Sequence, residues 1–289
     1  MPIKESELIL NPDGSVYHLN LKPEHIADTI IFVGDQDRVE KITKHFDVVE
    51  FETQKREFKT HTGYFRGKHL SVISTGIGPD NIDIVMNELD ALVNIDLMTR
   101  KPKQQLSSLD IVRVGTSGSL QSDIPVDSIV LSTYGLDLDG MLHSYKIDGI
   151  GNQEMEDAFV KHTNWNSNKA RPIIIKNSQK LEQRLDSDSI YKGVTATAGG
   201  FYGPQGRVLR LPLEDRSLNS KIDSFNYKDI RITNLEMETS VIFGMSKLLG
   251  HNAISLNAII ANRANGTFSD NPKLIVEKLI EYTLSKLVD

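Results

Sequence analysis

Cysteine is absent from the 289-residue chain. That excludes disulfides, thiolate nucleophiles and cysteine-ligated metals. Long apolar runs are also missing. No stretch reaches the roughly 18 residues of a membrane-spanning helix, and the N-terminus, MPIKESELILNPDGSVYHLN, lacks the apolar segment of a signal peptide. Basic clusters are missing too. The net charge is −6 and Lys and Arg are spread along the chain, without the density of a nucleic-acid surface. The expectation is a soluble, cytoplasmic protein with neither a nucleic-acid nor a membrane partner.

What is present is enough apolar material for a sizeable core, at 39% of residues. The length allows one large α/β domain or two small ones. No linker, repeat or low-complexity tract divides the chain, so a single domain over 1–289 is expected. Short Val- and Ile-rich runs lead into glycine or small polar residues: TIIFVG at 29–34, HLSVISTGIG at 69–78, LDIVRVGTSG at 109–118 and SIVLST at 128–133. ARPIIIK, KGVTATAG and HNAISLNAIIA follow later. Such nearly continuous runs read as strands covered on both faces. Between them lie helical stripes. Val39, Ile42 and Phe46 share one face, and so do Ile82, Val85, Leu89 and Leu92, with Glu88 at their edge. Val241, Met245 and Leu248 precede Gly250 as a C-cap, and Leu274, Leu279 and Leu284 belong to a closing helix. Strands alternating with helices predict an α/β sandwich around a mostly parallel or mixed sheet. Segments 99–108 and 203–220 read as loops.

Four segments carry candidate chemistry. Gly34 ends a strand just before a helix, where backbone N–H groups and the helix dipole favour an anion, and Arg38 lies one turn in. An ordinary turn capped by Asp35 or Asp37 accounts for the same residues. In RVGTSGSL, Arg113 stands inside a buried strand pattern, which is costly unless the charge is paired. Thr116 and Ser117 set hydroxyls beside the glycines; a strand-end arginine next to a flexible turn is the plainer account. In ATAGGFYGPQGRVLR, Phe201 and Tyr202 offer flat apolar surface. Gln205 can donate and accept at once, and Arg207 can stabilise an oxygen that gains charge. A floppy surface loop would look similar. In NLEMETS, Glu236 and Glu238 share a face only if the backbone is extended. A helix cap explains one of these glutamates and leaves the other.

Together with KREFKTHTGYFRGK, STGIG and NAIIANR, these segments resemble the uridine phosphorylase branch of the nucleoside phosphorylase family, in family order over about residues 16 to 285. The resemblance implies a single-domain three-layer α/β/α sandwich around a mixed, partly barrel-like sheet. It implies a pentosyltransferase acting in nucleotide salvage: uridine and inorganic phosphate give uracil and ribose 1-phosphate. No organic cofactor or catalytic metal is implied, inorganic phosphate being a substrate. Gly34, Arg38, Arg113 and Thr116 would bind phosphate, joined by Arg56 of a neighbouring subunit. Glu236, Met237 and Glu238 would hold ribose, with His18 reaching the partner's site. Ser117, Gly118, Phe201, Gln205 and Arg207 would face the base, with Arg207, Gln205 and Glu238 as the catalytic groups. The family pattern implies a homo-oligomer with shared sites, a dimer or a trimer of dimers. It also offers a monovalent-cation site at Glu57, although Asn81 replaces the usual small hydroxyl residue there. A purine phosphorylase, a nucleosidase and a catalytically silent nucleoside-binding protein are the alternatives. Arg263 stands where purine-cleaving relatives place an acid, which favours pyrimidine.

Overall fold

Strand Thr29–Val33 is buried along its whole length, and its side chains divide between two cores. Ile30 and Phe32 pack with Ile82, Val85, Leu89, Val241 and Met245. Ile31 and Val33 pack with Val39, Ile42, Leu279 and Leu284 on the other face. A period of two, apolar on both sides, forces helices onto both faces of the sheet. The computed structural model, which describes residues 1–288, accordingly has three layers.

The strands are β1 Thr29–Val33, β2 Val48–Lys55, β3 Phe58–Phe65, β4 Lys68–Ser74, β5 Ile95–Asp96, β6 Lys101–Pro102 and β7 Asp110–Ser119. They continue as β8 Ile129–Asp137, β9 Ile173–Lys176, β10 Tyr191–Thr197, β11 Asn226–Tyr227, β12 Ile230–Glu236, β13 Asn252–Asn262 and β14 Thr267–Phe268. The helices are α1 Gln36–Thr43, α2 Pro79–Asn94, α3 Gln153–Thr163, α4 Gln179–Leu185, α5 Leu218–Asp223, α6 Thr239–Leu249 and α7 Pro272–Val288. The main sheet runs β11-β12-β10-β8-β13-β7-β1-β4-β3-β2. β1 lies parallel to β4 and to β7, and β7 parallel to β13. β13 pairs antiparallel with β8, which makes the sheet mixed.

One extra pairing shapes the site. β12 also meets β7 antiparallel, Asn234 opposite Ser119 and Leu235 opposite Gly118. That closes β12, β10, β8, β13 and β7 into a ring. The sheet is therefore partly barrel-like, and closure sets the end of β12, with Glu236 and the following Glu238, beside the glycine-rich end of β7.

Local details differ from the sequence expectations in four places. The 99–108 segment is not wholly a loop, because β6 pairs with β5 in a two-stranded ladder. The 203–220 segment contains a 3-10 turn at Gly203–Gln205 and the start of α5. Leu274 lies off the buried face of α7, 51% exposed, because that face follows Ile275, Leu279, Ile280, Thr283 and Leu287. Phe46 falls beyond the end of α1 but still packs against the core. Gly250 closes α6 with a left-handed φ of 81°, as a C-cap does.

Candidate active site

A cavity of about 290 Å³ opens where β1, β7, β12 and the 198–217 loop converge. At its first end, β1 stops before Gly34 and α1 begins. Asp35 is the cap, its side chain accepting from the Asp37 N–H at 3.0 Å. That leaves Arg38 free to cross to β7, where Nη1 donates to the Val114 carbonyl at 3.2 Å. Burial, and then the charge of Arg113, push the Arg38 pKa down. Two guanidinium groups drawn together out of water are a standing cost that an anion would relieve.

Arg113 is 6% exposed in the middle of β7. It fits only because residue 115 is glycine: a Cβ there would stand 1.7 Å from Arg113 Nη1. Its Nη2 meets Glu238 Oε2 at 2.6 Å and Glu236 Oε2 at 3.0 Å. Its Nη1 donates to Asn257 Oδ1 at 2.9 Å. Burial opposes the charge, but the two carboxylates outweigh it and the Arg113 pKa is raised. The strand charge is thus paired, as the energetics of a buried arginine require.

The two glutamates do share a face, and they divide the work. Glu236 caps α6: Oε2 accepts from the Glu238 N–H at 2.9 Å, both oxygens accept from the Thr239 N–H at 3.0 Å, and Oε1 accepts from Thr197 Oγ1 at 2.6 Å. With Arg113 added, its acceptor positions are filled. Glu238 accepts from the Gly78 N–H at 2.8 Å through Oε1 and from Arg113 through Oε2, and has fewer partners. Burial first, tempered by Arg113, leaves its pKa above the ordinary glutamate range. Met237 lies between them in the cavity wall.

The other end is a loop. Gln205 is 2% exposed, and its backbone carbonyl accepts from Arg263 Nη1 at 2.6 Å and from Asn219 Nδ2 at 3.1 Å. Arg207 Nη1 donates to Gln205 Oε1 and to the Phe201 carbonyl, both at 2.6 Å. The guanidinium lies 3.8 Å from the Phe201 ring centroid. Burial pushes the Arg207 pKa down. This end joins a flat apolar face to a neutral amide and a cation, the equipment for gripping a heterocycle by face and edge.

Every site residue expected from the sequence lines this cavity except His18 and Arg56; Thr116, Ser117 and Gly118 form part of its wall. The two exceptions gather elsewhere. The rings of His18 and Tyr17 meet edge-on at 4.9 Å, and the Arg56 guanidinium lies 5.9 Å from the Tyr17 ring. Glu88 fixes His18 through its backbone N–H at 2.9 Å and Nδ1 at 2.7 Å. Sequence reasoning missed Asp35, Ile77, Leu235, Ile260, Ala261 and Phe268 as lining residues. Ile77 stood in the STGIG element and could have been found there. Phe268 had no local signal.

Arginines and a glycine at one end, an aromatic ring with an amide and a guanidinium at the other, and two buried glutamates between them form a cavity whose chemistry suits a glycoside and a small oxyanion together. The chain belongs to the phosphorylase superfamily, whose family model matches residues 28–285. It is 30% identical over 262 residues to a uridine phosphorylase of Haemophilus influenzae, covering 86% of this chain and 87% of that protein. It is 26% identical over 263 residues to a uridine phosphorylase of Thermococcus kodakarensis, covering 89% and 80%. Among solved structures, a Trypanosoma brucei nucleoside phosphorylase described as showing uridine phosphorylase activity superposes with a TM-score of 0.87 at 26% identity, covering 97% of this chain and 99% of that one.

Proposed function

We propose that the chain is a pentosyltransferase that cleaves uridine with inorganic phosphate. A phosphate oxygen forms a bond to C1′ of the ribose. The C1′–N1 bond breaks with its electron pair going to the base, and the proton of hydrogen phosphate ends on uracil N1. The products are uracil and ribose 1-phosphate. No residue of the protein is a nucleophile, and no step runs through a metal or an organic cofactor.

The carrying observation is the convergence of Arg38 and Arg113 on one end of the cavity that holds Gln205 and Arg207 at the other. Glycoside cleavage passes through an oxocarbenium-like state. Arg38, Arg113, Thr116 and the Gly34 N–H hold phosphate under the sugar, and Glu238 accepts from the ribose hydroxyls. Glu236 acts at the ribose mainly by fixing Arg113 and the start of α6, with Met237 against the sugar. Gln205 and Arg207 receive the charge that gathers on the uracil carbonyls, which is where a fixed donor lowers a barrier most. Phe201 covers the ring, and Ser117 and Gly118 line its edge. A hydrolase has no use for two arginines around an anion. Arg263, tied to the Gln205 carbonyl, braces the base end as a cation and supplies no acid for a purine.

The active form is a homo-oligomer, a dimer or a trimer of dimers, working in the cytoplasm in nucleotide salvage. His18 and Arg56 stand near each other, around Tyr17 and off their own cavity, as residues lent to a partner would. Uridine with and without phosphate, followed by ultraviolet absorbance, tests the reaction; no phosphate-dependent uracil would refute it. Inosine in the same assay separates pyrimidine from purine cleavage. Mixing inactive Arg56→Ala and Glu238→Ala subunits should restore part of the activity; no recovery despite proven heterodimers removes the sharing.

A further inference from the structure

A second cavity, of about 430 Å³, adjoins the first and shares Arg38, Thr116 and Ile260 with it. Its other walls come from α1 and the first turns of α7. Lys41 projects from α1, Lys44 from the C-cap just after it, and Lys273 from α7. Its one acidic residue, Glu277, is already engaged by Lys44 at 2.6 Å and by His45 at 3.1 Å. Among the described residues, neither Lys41 nor Lys273 has a carboxylate within ion-pair distance. The N-terminal turn of α7 adds its dipole to the same space. On a chain of net charge −6 this is a local reversal of sign.

The contrast with the main cavity's own rim is large. There the exposed side chains are Ile77, Phe201 and Phe268, at 68%, 50% and 63%, with the exposed carboxylate of Asp35 beside them. A phosphate dianion gains nothing from apolar rings or from a carboxylate, and a nucleoside held against Phe201 would cover part of that rim. The α1–α7 cavity, by contrast, offers cations leading to Arg38, whose own pKa is lowered by burial and by Arg113. Clefts lined by one sign of charge concentrate counter-ions and raise their on-rates, an effect that salt screens.

We propose that the α1–α7 cavity is an antechamber for inorganic phosphate, which gathers at Lys41 and Lys273 and passes to Arg38. The inference rests on the phosphorolysis reading for its kinetic arm only. The test is the double variant Lys41→Glu/Lys273→Glu, made in the full chain, with Lys41→Gln/Lys273→Gln as the milder control. At low ionic strength kcat/KM for phosphate should fall about tenfold in the charge-reversed protein and less in the neutral one. The KM for uridine, and kcat at saturating phosphate, should not change. At about 0.5 M salt the difference should shrink to under about twofold. An undiminished kcat/KM for phosphate at low salt overturns the proposal, and so does a loss that persists at high salt, which would mean a distorted Arg38. Calorimetric titration of inorganic phosphate into nucleoside-free protein supplies an arm independent of turnover. There the charge-reversed variant should bind phosphate more weakly at low salt, and equal affinity overturns the antechamber even if uridine is not the substrate.

Discussion

Arg113 and Arg207 are the same chemical group at two ends of one cavity, and the protein holds them in different ways. Arg113 is sunk in a ten-residue strand, between two buried carboxylates and a buried amide. Arg207 hangs from a glycine-rich loop, stacked on an aromatic ring and bonded to one neutral side chain. At the Arg113 end, charge is balanced by charge and the geometry is fixed by the sheet. At the Arg207 end, position is set by stacking and by backbone carbonyls that a loop can move. On the proposed reading the anion at the first end never varies in shape, so a rigid cradle costs nothing in scope. The heterocycle must enter and leave past its own binding groups, and a loop permits that.

The largest test of this difference is to delete each guanidinium. Arg113→Ala leaves Glu236 and Glu238 buried without their cation, and should cost about 3–5 kcal/mol of stability as well as the reaction. Arg207→Ala leaves no buried charge unpaired. Its stability should stay within about 0.5 kcal/mol, while kcat/KM for uridine falls ~10²–10³. Urea unfolding beside steady-state rates reads both quantities. If Arg207→Ala unfolds as easily as Arg113→Ala, the two ends are not built differently. Gly115→Ala sharpens the point without touching a charge. Its Cβ would occupy the place of Arg113 Nη1, so it should reproduce much of the Arg113→Ala loss.

A smaller effect follows from Glu238. Burial first, and repulsion from Glu236, raise its pKa, while Arg113 opposes the rise. On the proposed reading the carboxylate is the form that accepts from ribose hydroxyls. Activity is therefore present above the raised pKa and lost as pH falls through it, at a higher pH than an ordinary glutamate would give. The acidic limb of kcat/KM for uridine reports that pKa in the free enzyme. Glu238→Gln should lower the plateau and abolish that limb. A limb that survives in Glu238→Gln belongs to another group.

Much of this was legible in the sequence because it is local. A lone arginine in the LDIVRVG run, glycines after strands, and two glutamates around Met237 all announce themselves within ten residues. Pairings between distant segments do not. Asn257, which fixes Arg113, lies 144 residues away on another strand, and no periodicity names such a partner. The β12–β7 closure is equally hidden, because alternation shows which faces are buried and not which strands meet. The plain account of NLEMETS, a helix cap, describes Glu236 correctly, yet Glu236 also touches Arg113, so cap and site are one structure. Leu274 misled because an apolar residue in a first turn can fall beside the buried stripe as easily as on it. Lys41 and Lys273 belong to distant segments, and only the fold brings α1 and α7 to one cavity.

The smallest expected effect concerns the ring under Arg207. Phe201 is half exposed, so removing it leaves little cavity behind and little stability is at stake. What it supplies is a face for the guanidinium and, on the proposed reading, for the base, worth roughly 1 kcal/mol for a stacked cation. Phe201→Ala should therefore raise KM for uridine about fivefold, with KM for phosphate unchanged. Phe201→Leu separates the two contributions, since leucine keeps apolar surface and has no π-face. If Phe201→Leu matches the wild type, the ring is only a wall and stacking does not hold Arg207. If either variant also raises KM for phosphate, the loop is mechanically coupled to the sheet, and the anion end is less rigid than its ion pairs imply.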